Sequence, residues 1–107
     1  MIKESWLVGV RNWASANQFI QSVYFVGSRA KGTSRPDSDL DIAITLVPTA
    51  GYGDWMDESD IWVVELSKIV EPEVQILRGS AALGNPTIES AISEHGLLVF
   101  NRRDQTK

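Results

Sequence analysis

Gly27-Ser28-Arg29-Ala30-Lys31-Gly32, followed after a short polar loop by Ser38-Asp39-Leu40-Asp41, organises this chain. Just upstream, Val23-Tyr24-Phe25-Val26 is β-branched and aromatic, which predicts a buried strand stopping at Gly27. Gly27 and Ser28 then fall at a strand-to-helix turn. A glycine there lets an anion approach the backbone, a serine adds a hydroxyl donor, and amides at a helix start attract negative charge. The turn suits phosphate groups.

Gly32-Thr33-Ser34-Arg35-Pro36-Asp37-Ser38 is dense in turn formers and reads as a loop. The next strand is expected from about Asp39 to Val47. Side chains alternate along a strand, so Asp39, Asp41 and Ala43 share one face while Leu40, Ile42 and Ile44 share the other. Both carboxylates then aim at one point. They repel unless a cation lies between them, and oxygen ligands favour Mg²⁺ or Mn²⁺ over Zn²⁺. Arg29, Lys31 and Arg35 add three positive charges beside the turn, suited to offsetting the charge of a nucleoside triphosphate.

Two simpler readings compete. Gly27 to Gly32 fits the G-x-x-x-x-G spacing of a P-loop, but the lysine that loop requires is replaced by Thr33. An ordinary hairpin would explain Asp37, since Pro36-Asp37-Ser38 is turn chemistry. It does not explain Asp39 and Asp41 within an apolar strand, where an uncompensated charge is costly.

The same residues resemble the GS-x-A-x-G…D-x-D element of the DNA polymerase beta-like nucleotidyltransferase superfamily, and the small size resembles its minimal (MNT) branch. The resemblance implies an α/β fold, with a mixed sheet of three or four strands backed by helices. It implies an NTP substrate, ATP among the candidates, with Asp39 and Asp41 holding Mg²⁺ or Mn²⁺. Gly27, Ser28, Arg29, Lys31 and Arg35 would bind the nucleotide. It further implies transfer of a nucleoside monophosphate to a hydroxyl acceptor, and a HEPN-family partner in a toxin–antitoxin pair with the MNT subunit as antitoxin.

The superfamily also places a third carboxylate on a neighbouring strand. In the matching strand, Glu73-Val74-Gln75-Ile76-Leu77, the expected Asp is Gln75. Glu73 shares the face of Gln75 and is the candidate to reach the site instead. The alternative function is a catalytically weakened nucleotide-binding subunit that regulates its partner by complex formation.

At 107 residues the chain is expected to form a single nucleotidyltransferase domain over 1–107, with 101–107 a flexible tail. It has no cysteine, which excludes disulfides and a thiol nucleophile. No long apolar segment follows Lys3 and Glu4, so neither signal peptide nor membrane span is expected, and the expected location is cytoplasmic. The net charge of −4 disfavours a nucleic-acid acceptor relative to a protein or small molecule. Four tryptophans suit a core or a shared apolar surface, leaving oligomerisation open.

Ile2, Trp6, Val10 and Trp13, widened by Leu7 and Ala14, predict an amphipathic first helix. A second helix is expected from about Trp55 to Val70, with Ile61, Trp62, Leu66 and Ile69 inward and Asp57, Glu58 and Asp60 near its start. Tyr52 and Trp55 are candidates for an exposed aromatic rim. Asn85-Pro86 predicts a third helix, ending near His95 and Gly96. His95 reads as structural in that last turn. Leu97-Leu98-Val99-Phe100 reads as a closing strand.

Overall fold

The computed structural model describes residues 2–32, 35, 38–78 and 96–102. Its elements run α1 (Glu4–Ser15), β1 (Ile20–Val26), α2 (Gly27–Lys31), β2 (Leu40–Leu46), α3 (Tyr52–Ser67), β3 (Val74–Arg78) and β4 (Leu97–Asn101). The helix expected after Asn85-Pro86, with His95, lies outside the described residues.

The four strands form one mixed sheet in the order β3-β2-β1-β4. β1 pairs antiparallel with β2 and β4, while β2 and β3 run parallel. The helical passage between β2 and β3 permits that parallel pairing, because parallel neighbours need a crossover.

One face of the sheet carries the main core. Leu40, Ile42 and Ile44 of β2 are fully buried there with Ile20, Val23 and Phe25 of β1, under Trp6, Val10 and Ala14 of α1 and Trp62 and Leu66 of α3. The other face holds a small cluster of Val26 and Ala43 backed by Tyr24 and Leu77. The alternation read along β2 is therefore the observed one. Trp62 packs edge-on against Trp13 and Trp55, with ring centroids 6.1 and 5.9 Å apart.

β1 begins earlier than its apolar run implied. A register shift between Ile20 and Ser22 places Ile20 on the same face as Val23 and Phe25 despite the odd spacing. A second irregularity sits opposite, where Val23 pairs with Phe100 and Tyr24 with Leu98. It lets the consecutive residues Val99 and Phe100 both be buried, and Arg11 Nε donates to the Val99 carbonyl at 3.0 Å.

Three sequence expectations need adjustment. α3 begins at Tyr52, three residues before Trp55, because the Asp54 carboxylate accepts the Gly51 N–H at 2.8 Å and caps the first turn. Ile61, expected inward, is 51% exposed, since the buried stripe runs through Trp55, Trp62 and Leu66. The chain also stays anchored beyond Phe100. Asn101 closes β4, and Arg102 donates to the carbonyls of Ile20, Ala14 and Asn17 at 2.9, 3.2 and 2.8 Å. These bonds satisfy a carbonyl in the last turn of α1, one in the turn that follows and one at the start of β1; residues 103–107 lie outside the description. None of the described helices is long and apolar enough to cross a membrane.

Candidate active site

The junction of β1 with α2 is built on a positive backbone angle. Gly27 has φ 76°, a conformation that side chains with a Cβ adopt only at a cost. It is also where the chain meets β2, because Val26 lies opposite Asp41 in the antiparallel register. A Cβ placed on Gly27 would overlap Asp41 Oδ2 and lie 3.2 Å from its Cγ. The missing side chain therefore leaves room for that carboxylate at the turn. Gly32, at φ 80°, then ends the five-residue α2.

Asp39 and Asp41 flank buried Leu40 and face away from the main core. Burial pushes the Asp41 carboxyl above its usual range, and the nearby Asp39 charge pushes it further. A carboxylate that is partly buried and also lies beside a like charge is costly to ionise in a free protein. A divalent cation at Asp41 would offset both the burial and the repulsion. The all-oxygen donors, with Asp41 seated against the side-chain-free Gly27, fit Mg²⁺ or Mn²⁺.

β3 brings the third position to the same place. Gln75 pairs with Asp41 in the parallel register and is exposed on the face opposite the main core. Glu73 lies one side-chain period earlier, also exposed, and its carbonyl accepts the Leu40 N–H at 2.8 Å. Among the described residues no three His, Cys, Asp or Glu side chains come together as a metal-binding group. Two aspartates stand there beside a glutamine.

The three cations differ. Lys31 and Arg35 are exposed at the rim. Arg29 is 7% exposed, and its Nε and Nη2 donate to the Ser38 carbonyl at 3.0 and 2.6 Å. Its guanidinium lies 5.7 Å from the Trp6 ring centroid. Ser38 also donates its N–H to the Arg35 carbonyl at 3.0 Å and accepts the Arg35 N–H on Oγ at 2.8 Å. Sequence reading missed Ser38 as the link between turn and aspartates, because a backbone carbonyl leaves no residue signature.

The aromatic pair expected at a rim divides. Tyr52 is 55% exposed with the Arg78 guanidinium 4.6 Å from its ring centroid, whereas Trp55 packs on the core. A cavity of about 410 Å³ opens between α1 and α3, lined by Trp13, Phe19, Ile61, Trp62, Glu58 and Glu65 among others. It contains none of the site residues.

Two solved structures share this arrangement of elements. A toxin–antitoxin crystal structure with AMP-PNP is 15% identical, with a TM-score of 0.62, over 97% of this chain and 77% of that one. A mutant of the MntA–HpeT toxin–antitoxin is 13% identical, with a TM-score of 0.60, over the same 97% and 77%. At such identity the likeness concerns the fold. No curated protein matches the chain. The sequence profile described as polymerase beta, nucleotidyltransferase, matches residues 10–105. That match spans the turn, both aspartates and every described strand, so the chain belongs to the polymerase beta nucleotidyltransferase family.

Proposed function

We propose that this domain transfers a nucleoside monophosphate, AMP in the first instance, from an NTP to a hydroxyl on a partner protein. The observation that carries the reading is the convergence of Asp39, Asp41 and the side-chain-free Gly27 at one turn. In this reading Gly27 and Ser28 seat the phosphates, and Lys31 and Arg35 offset their charge. Asp39 and Asp41 hold Mg²⁺ or Mn²⁺, which when bound neutralises the triphosphate and acidifies the acceptor hydroxyl. The acceptor oxygen forms a bond to the α-phosphorus while the bond from that phosphorus to the α,β-bridging oxygen breaks. Pyrophosphate leaves with the electron pair, and the hydroxyl proton passes to a carboxylate. Glu73 is the candidate to receive it.

The nature of the partner rests on two supports. The MNT resemblance implies a HEPN-family toxin with this chain as its antitoxin, and the two structures compared above are toxin–antitoxin structures. A cytoplasmic location accords with that pairing. Labelled ATP, Mg²⁺ and a co-purified HEPN-type partner test the reading. Label should appear on the partner with the wild-type chain and be lost with Asp41→Asn; label unaffected by that substitution would refute it.

Gln75 beside Asp41 favours a second reading, in which the chain binds nucleotide and regulates its partner by complex formation with little transfer. Tight, nucleotide-dependent partner binding without label would select it.

A further inference from the structure

The Asp39–Asp41 segment is held from two sides. On one, the Leu40 N–H reaches the Glu73 carbonyl at 2.8 Å. On the other, the Arg29 fork closes on the Ser38 carbonyl with bonds of 3.0 and 2.6 Å, one residue before Asp39. Arg29 itself is fixed by burial and by the Trp6 ring beneath it. Hydrogen bonds from a charged donor are among the stronger ones in a folded chain, and this pair spans nine residues to join α2 to the start of β2.

We propose that Arg29 is a positioning residue: by holding Ser38 it aims the two carboxylates, and so sets how tightly the chain binds a divalent cation. The inference rests on the functional reading above for its metal, and goes beyond it in assigning this arginine to the backbone of the metal loop. An arginine serving the triphosphate directly would contribute to nucleotide affinity whether or not metal is present. An arginine acting through Ser38 contributes only through the aspartates.

The test uses the full chain as wild type, Arg29→Met and Arg29→Lys, with folding checked by circular dichroism. AMP-PNP binding is titrated with and without Mg²⁺. The Met variant should raise the Mg²⁺ concentration needed for half-maximal binding roughly tenfold, the scale of a lost charged hydrogen bond, with metal-free nucleotide affinity unchanged. The Lys variant, which retains one donor to the carbonyl, should recover part of the shift. Loss of metal-free affinity with an unmoved Mg²⁺ midpoint would overturn the proposal.

Hydrogen exchange supplies a readout that needs no nucleotide. The Leu40 amide should exchange roughly tenfold faster in the Met variant while Val23 in the central strand is unchanged. Unchanged exchange at Leu40 would also overturn the proposal. Should the wild-type chain bind AMP-PNP without any Mg²⁺ dependence, the functional reading fails, and the exchange result decides the positioning role by itself. If Arg29→Met does not fold, the Lys variant carries both measurements, with smaller shifts of the same sign.

Discussion

Gly27 and Asp41 occupy one another's space: the glycine's missing Cβ would overlap the carboxylate oxygen Oδ2. Two independent requirements meet at this position, since φ is also 76°. Gly27→Ala should therefore destabilise the fold by about 1–2 kcal/mol from the backbone alone, and displace Asp41 in addition. The check is a urea melt combined with Mg²⁺-dependent AMP-PNP binding. A variant with wild-type stability and wild-type metal dependence would show that the close approach does not matter.

Asp41 makes the free protein pH-sensitive in a definite direction. Its folded carboxyl is raised from the usual 3.8 by burial and then by Asp39. A raised acid contributes stability that is fully present below the unfolded value and is lost as pH rises through the folded one. Asp41→Asn escapes that loss. Without metal at pH 7 it should be at least as stable as wild type, and Mg²⁺ should raise the Tm of wild type but not of the variant. A variant less stable than wild type under metal-free conditions would contradict this.

Gln75 lies beside Asp41 where the family implies a third acid. Gln75→Asp should raise the rate of label transfer, since a well-placed proton acceptor contributes on the order of 10²–10⁴-fold. It should also add repulsion and lower the metal-free Tm. No gain in rate would mean that the glutamine is not what limits transfer.

Trp62 is 1% exposed and joins Trp13 of α1 to Trp55 of α3. Trp62→Ala should cost about 3–5 kcal/mol, as large-to-small core changes do. Chemical denaturation measures it. A cost below about 1 kcal/mol would mean the aromatic cluster is dispensable.

Much of this was legible in the residues. The period of two along β2 sorted Leu40, Ile42 and Ile44 from Asp41 and Ala43, because burial on one face of a strand leaves a direct mark. The start of β1 was less visible. Gln21 and Ser22 are polar, and the shift after Ile20 breaks the alternation that reveals a strand. The start of α3 depended on the Asp54 side chain reaching back to Gly51, beyond what apolar spacing records. Arg29 read as a phosphate cation by composition, while its bond to Ser38 depends on a backbone carbonyl and thus on the fold. Arg102, within a polar tail by sequence, turned out to hold three carbonyls for the same reason.

The most direct test is a crystal structure of the chain with AMP-PNP and Mn²⁺, the ion located by its anomalous signal. Mn²⁺ between the Asp39 and Asp41 carboxylates, with the triphosphate against Gly27 and Ser28, is the predicted result. Mn²⁺ bound elsewhere, or a triphosphate that avoids the turn, would contradict the account.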